Sequence, residues 1–209
     1  MALIYRADLN PSKIELLAAW LPGNPWYQTA AGELTRVASY RFDDPDGEVG
    51  VETLLVRAGD GPIFQVPLTY RGEPLTGADQ WLVGTTDHSV LGKRWVYDAC
   101  GDPVYAATLA RAIIADAGQA EQTIGKDGRV EAFPPTMTIT SSGDPGAGVP
   151  AVSEVRRVAP GDPTIIETDG VELAVVRRLG EDLSRAGTVL SGTWAGQADP
   201  VPLAYASAG

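Results

Sequence analysis

Residues 34–70 read LTRVASYRF-DDPDGE-VGVETLLV-RAGDGP-IFQVPLTY, three runs rich in β-branched and aromatic residues separated by two short segments dominated by Asp, Gly and Pro. The runs predict strands over 34–42, 49–56 and 63–70, with turns at Asp43-Asp44-Pro45-Asp46-Gly47 and Gly59-Asp60-Gly61-Pro62. Connections this short join antiparallel neighbours, because a parallel pair needs a crossover of a dozen residues or more. Upstream, residues 2–8 predict a further strand, and Asn10-Pro11 offers an N-cap side chain and a pre-set φ for a helix. Ile14, Leu17, Ala18 and Leu21 then recur at the spacing of one buried helical face, and Pro22-Gly23-Asn24-Pro25 ends it.

Downstream, an irregular stretch over 71–84 precedes strands predicted at 85–90 and 94–97. Asp102-Pro103 repeats the cap-plus-proline opening, and residues 104–120 predict a second helix with Leu109, Ala112, Ile113 and Asp116 across its faces. Composition shifts at Gly125-Lys126-Asp127-Gly128, and the run Ser141 to Pro150 is the most loop-like in the chain. Beyond it come strands predicted at 153–158, 164–168, 171–178, 188–194 and 201–205, with Asp169-Gly170 as the dipeptide that a type I′ hairpin turn prefers. The expected class is α+β: a largely antiparallel sheet with a barrel-like form as one option, about two helices, and a small β-rich C-terminal part. The expected division is a domain over 1–124, a flexible linker or long loop over 125–150, and a β-rich segment over 151–209.

Sixteen Lys and Arg against 27 Asp and Glu give a net charge of −11, which repels nucleic-acid backbones and anionic membrane surfaces. The opening Met1-Ala2-Leu3-Ile4-Tyr5-Arg6-Ala7-Asp8 has no basic segment followed by an apolar run, so neither secretion nor a membrane span is expected, and the cytoplasm is the expected location. One cysteine, Cys100, forms no intrachain disulfide, and its ordinary reading is a small buried hydrophobe.

A Ser/His/Asp or Cys/His site must use His88, the one histidine. In Asp87-His88-Ser89, adjacent residues of a strand point to opposite faces, so the three do not converge, and no Gly-x-Ser-x-Gly elbow is present. The acidic run at 43–48 lacks the spacing of a calcium loop; Gly92-Lys93 and Gly125-Lys126 lack the Ser or Thr and the spaced glycine of a P-loop. Gly146-x-Gly148 sits between prolines with no helix after it. No catalytic residue, metal ligand or cofactor is therefore assigned, and the chain is expected not to be an enzyme. Trp20, Trp26, Trp81, Trp95 and Trp194, with Tyr27 and Tyr97, are either packing residues or a stacking surface for a sugar.

The blocks KIELLAAWLP at 13–22, Pro25-Trp26-Tyr27, YRFDDPDGEVG at 40–50, VPLTYRGEPL at 66–75 and GTTDHSVLGKRWVYD at 84–98 resemble, in order, the N-terminal cap of actinobacterial maltokinases and related sugar kinases. The resemblance covers about the first half. It implies longer relatives whose catalytic lobe, similar to aminoglycoside phosphotransferases, carries a His/Asp loop, an Asn and a magnesium-binding Asp after the cap. No histidine follows His88 here. Residues 164–179 resemble the kinase hairpin that carries the ATP-holding lysine, and aligning Arg177-Arg178-Leu179 places Ala174 at that position, where a methyl group makes no charge-assisted clamp.

What the resemblance implies is an accessory or regulatory module beside maltose, trehalose or glycogen enzymes. Its expected partner is a protein, such as a kinase or an α-glucan enzyme. The alternatives are a carbohydrate-binding module using the tryptophans, or a sugar-kinase fragment with residual nucleotide binding. Trp26, Tyr27, His88, Arg94 and Trp95 are the candidate partner or ligand surface.

Overall fold

The computed structural model describes residues 2–4, 8–28, 31–126, 129–132, 134–181 and 184–208. Ala2–Ile4 (β1) is a strand, whereas residues 5–7 of the strand expected over 2–8 lie outside the described set. After the short β2 (Leu9–Asn10), helix α1 (Lys13–Trp20) opens at Ser12 rather than at Asn10-Pro11. Ser12 Oγ accepts from the Glu15 N–H and the Glu15 carboxylate accepts from the Ser12 N–H at 2.8 Å, a reciprocal capping box that satisfies two otherwise orphaned donors. Leu17 and Leu21 are buried and Ile14 is half-buried, but Ala18 is exposed, so the helix contacts the sheet along a narrower stripe than its periodicity suggests.

The expected strands follow as β3 (Leu34–Phe42), β4 (Gly50–Ala58) and β5 (Ile63–Arg71), then β6 (Leu82–His88) and β7 (Gly92–Asp98). Helix α2 (Pro103–Ile114) is capped by Asp102, whose carboxylate accepts from the Val104 N–H at 3.0 Å and from Thr69 and Arg71 on β5. It ends six residues short of the expected 120, where Asp116 and Gly118 take left-handed φ values of +46° and +72°, and distant groups take up its last carbonyls. Ser141 Oγ donates to Ile113 O, and the Asp144 N–H donates to Ile114 O.

Those partners lie inside the expected linker, which corrects that expectation. After β8 (Gln122–Lys126) and β9 (Arg129–Ala132), Met137–Ser141 forms β10, a sheet strand, and residues 141–144 dock on the end of α2. A Cβ on Gly143 would stand 2.2 Å from Ile113 O, so only glycine permits this approach.

The remaining strands are β11 (Val155–Ala159), β12 (Thr164–Thr168), β13 (Val171–Val175), β14 (Arg178–Leu179), β15 (Thr188–Trp194) and β16 (Gln197–Ala208). The β12–β13 hairpin forms in the expected register, Ile166 opposite Leu173, but its turn is not type I′, since neither Asp169 nor Gly170 has a left-handed φ. Thr168 Oγ1 closes it instead, accepting from the N–H groups of Gly170 and Val171.

Three sheets result: β1-β8-β9, in which β1 and β8 are parallel; an antiparallel six-stranded sheet ordered β10-β15-β16-β13-β12-β11; and an antiparallel seven-stranded sheet ordered β2-β6-β7-β5-β4-β3, with β14 added on β5. The seven-stranded sheet is a middle layer. One face packs Leu54, Val56, Phe64, Val66 and Val96 against Leu17 and Leu21 of α1. The other packs Tyr40, Val51 and Leu55 in one continuous core with α2 and with Leu173, Val175, Leu190 and Leu203 of the six-stranded sheet. Coverage on both sides explains why β4 and β5 are buried almost without alternation, polar residues such as Glu52, Thr53, Gln65 and Thr69 included.

Two polar ties cross this core. Gln65 of β5, fully buried, donates from Nε2 to Val176 O and Leu203 O at 2.9 Å each and accepts from the Tyr40 hydroxyl. Arg177, also fully buried, donates from Nη2 to both oxygens of Asp98 at 2.7 and 3.0 Å, and from Nε to Thr164 Oγ1 at 2.8 Å. Removing one member of a buried ion pair strands the other charge, which costs about 3–5 kcal/mol, whereas replacing both with well-packed apolar residues is often near neutral. We therefore expect Arg177→Met to lower the urea-unfolding free energy by about that amount and Arg177→Met with Asp98→Leu to recover most of it. A loss in the single variant below ~1 kcal/mol would show that the pair does not tie the halves together.

Candidate interaction surface

The five candidate surface residues divide into two groups. Trp26 is buried, packed against Phe64 and Trp20, and the Arg177 guanidinium lies 4.6 Å from its ring centre. Tyr27 is half-buried with its ring 4.8 Å from that of Phe64. These two belong to the core under α1. His88, Arg94 and Trp95 instead come together on the β6–β7 hairpin.

The hairpin register places His88 opposite Gly92, leaving a three-residue loop of Ser89, Val90 and Leu91, and Gly92 takes the left-handed φ of +71° that such a loop requires. The loop is braced from three sides. His88 Nδ1 accepts from the Val90 and Leu91 N–H groups at 3.2 and 3.0 Å; the Ser89 N–H donates to Asp8 O at 3.0 Å while Ser89 Oγ accepts from the Asp8 N–H; and Arg94 Nη2 donates to Leu91 O at 2.8 Å. The Arg94 guanidinium lies so close over Gly72 that a Cβ there would stand 2.8 Å from Nη1. On the opposite face of β7, Lys93 Nζ sits 4.9 Å from the Trp95 ring centre, a cation–π contact, and the register sets Lys93 beside Asp87.

With its ring nitrogen accepting two backbone donors, His88 acts in turn construction. Asp87 is exposed and Ser89 is engaged with Asp8, so the three consecutive residues do not assemble into a relay. Among the described residues no group of three or more His, Cys, Asp or Glu is placed to hold a metal ion. Ala174, at the position of the kinase lysine in the resemblance, is buried in β13. Cys100 is buried as expected but not apolar in its surroundings. Its sulfur lies 3.0 Å from Arg177 Nη2, and burial outweighs that cation and pushes the thiol well above its ordinary range.

Of the tryptophans, Trp26 and Trp194 are buried and Trp20, Trp81 and Trp95 half-buried. The large apolar side chains that face solvent among the described residues, Val90 at 55% and Leu91 at 47%, are residues that sequence reasoning passed over. Their signal was the placement of two apolar residues in a turn between His88 and Lys93, which strand propensity assigned partly to a strand.

A second cationic cluster adjoins the hairpin under α1. Lys13 pairs with the buried Glu52, Arg41 stands 3.6 Å from the same carboxylate, and Lys13 lies 5.3 Å from the Tyr70 ring centre. Burial alone would raise the Glu52 carboxyl, but Lys13 and then Arg41 outweigh it and hold it below the usual range.

Burial first, then the charges of Arg94 and Lys13, hold the His88 imidazole below its ordinary 6.5. A lowered folded-state value means that the unfolded chain takes up the proton more readily. The bracing is therefore complete above about pH 6.5 and is lost as pH falls through the folded-state value. We expect the His88 ring protons to titrate below 6.5 by NMR, with the Val90 and Leu91 amides shifting at the same midpoint. A midpoint above 6.5, or silent amides, contradicts the bracing described here.

Compared with known families, residues 20–102 match the maltokinase N-terminal cap domain. A comparison with curated proteins finds no match. The matched segment runs from the last residue of α1 through β3–β7 to the N-cap of α2, and so contains the hairpin but not Arg177. Residues 20–102 are thus maltokinase N-terminal cap-like, the likeness that the blocks at 25–27, 40–50, 66–75 and 84–98 carry.

Proposed function

We propose that the protein is a non-catalytic accessory or regulatory module of maltose, trehalose or glycogen metabolism that works in the cytoplasm by holding a protein partner, a kinase or an α-glucan enzyme. The observation that carries this reading is the cap match over residues 20–102, joined to a rigid hairpin whose polar groups are engaged in building a surface. In a maltokinase the cap lies outside the catalytic lobe, so a cap-like unit contributes contact and orientation. The −11 charge and the apolar Ala174 work against holding a nucleotide triphosphate, which needs metal and a cationic clamp. The burial of Trp26 and Trp194 leaves less aromatic surface for sugar stacking than the tryptophan count suggests.

In calorimetry the full chain is expected to give no saturable binding of Mg-ATP, and in a phosphotransfer assay with maltose, glucose or glucosamine no turnover above background. Maltooligosaccharide titration should leave tryptophan fluorescence unchanged, while a purified maltokinase or α-glucan enzyme from the same organism should bind. Submicromolar Mg-ATP binding, or turnover that survives repurification, would overturn the reading in favour of a kinase. Saturable quenching by the oligosaccharide, without protein binding, would favour a carbohydrate module.

A further inference from the structure

Arg177 divides its hydrogens unevenly. Nη2 faces three acceptors, both oxygens of Asp98 and the Cys100 sulfur, and Nε is taken by Thr164 Oγ1. Nη1, on a side chain with no exposed surface, has no hydrogen-bond partner among the described residues. The Tyr105 hydroxyl, on the first turn of α2 and equally buried, has none either. Burial, then the neighbouring Tyr40 and Cys100, push that hydroxyl well above its ordinary range, so at neutral pH it keeps a proton to donate. The charges of Arg177 and Asp98 reach the same hydroxyl, which places it in one polar island with them. The acceptors of that island are already engaged. Gln65 Oε1 accepts from Tyr40, and both Nε2 hydrogens of Gln65 go to Val176 O and Leu203 O. Asp98 Oδ1 accepts from the Cys100 N–H as well as from Arg177. A buried donor without an acceptor bears its full desolvation penalty, and in folded proteins such donors are nearly always met by protein or by ordered water.

We propose that Arg177 Nη1 and the Tyr105 hydroxyl share one internal water molecule, which accepts a hydrogen bond from each. Tyr40, whose own proton goes to Gln65, offers hydroxyl lone pairs to the hydrogens of that water, giving it the two to four partners that an internal water needs. Charge selects a neutral occupant. The Arg177 cation is already matched by Asp98, so an anion would add an unpaired charge to a dry site, and a cation would face the guanidinium. Trp26 lies over one flat face of the guanidinium, so Nη1 takes its partner in the guanidinium plane. The water thereby joins β3, α2 and residue 177, a third tie between the cap-like sheet and the C-terminal part beside those made by Gln65 and Asp98. This assignment stands apart from the accessory-module reading and does not depend on it.

Tyr105→Phe supplies a test whose sign decides, because it deletes one donor and keeps the ring. Removing a buried hydroxyl that has no partner leaves stability unchanged or raises it, whereas removing one that is bonded to a held water lowers it. The full chain and the variant are unfolded in urea, and both are crystallised at high resolution, the wild type also from sodium bromide. The expected result is a lower urea midpoint for Tyr105→Phe with an unchanged slope. In the wild-type crystal a density peak should stand within about 3.2 Å of both Arg177 Nη1 and the Tyr105 oxygen, and in the variant it should be lost or displaced. A midpoint equal to or above that of wild type overturns the proposal. So does a map with no peak between the two atoms, or with a peak that touches only one of them. An anomalous bromide signal at the peak makes the occupant a halide and overturns it too.

Discussion

A guanidinium taken wholly out of water dictates much of how this chain is put together. Arg177 reaches Asp98 from the end of the hairpin that follows residue 164, and in the absence of that carboxylate its desolvation would not be offset. Asp98 pulls with it the end of β7 and the turn before α2, where its Oδ1 also accepts from the Cys100 N–H. Thr164 takes the Nε proton, Trp26 covers the flat face, and the Arg177 carbonyl accepts from the Gln65 N–H at 2.7 Å. Nε and Nη2 are thus partnered, while Nη1 is buried without a hydrogen-bond partner among the described residues. The strand β14 pairs with β5 one residue further on, so a stretch from the far end of the chain completes the cap-like sheet.

The consequence for architecture is that the cap-like sheet has no free apolar face. α1 covers one side and the six-stranded sheet with α2 covers the other, which leaves the sheet ends as the places where function can reside. At one of those ends the β6–β7 hairpin projects. Its rigidity comes from His88 and Arg94 beside the loop and from Asp8, 81 positions before Ser89, and not from the core.

Strands 34–42, 164–168 and 188–194 were legible to the residue, because hydrophobic runs bounded by Gly, Pro and Asp report local backbone preference directly. What sequence could not convey was tertiary in origin. Helix α2 stops at Ile114, where Asp116 and Gly118 turn to a left-handed φ and Ser141 and Asp144, far along the chain, take up its last carbonyls. The Ser/Gly/Pro run at 141–150 has the composition of a linker, yet Gly143 is there for close approach and not for freedom. Trp26 and Tyr27 follow a proline outside a helix and look exposed, until Arg177 and Phe64 arrive to cover them. Of the surface, His88, Arg94 and Trp95 were legible as polar and aromatic detail in excess of a turn's needs; Val90 and Leu91 were hidden by their strand-like character.

The placement of the two polar ties also sets an order of events during synthesis. Arg177 lies 79 positions after Asp98, and the Gln65 side chain waits for a carbonyl 138 positions later. Nascent chain leaves the ribosome at about 5–20 residues per second, so the β3–β5 meander is in solution for several seconds before either partner appears. Over that interval the face that will meet Leu173, Val175 and Leu203 is uncovered, and Gln65 must find water or a transient partner. High sequence separation of this kind slows folding and lengthens exposure to aggregation. The cap-like segment thus completes its packing only once the C-terminal strands are made.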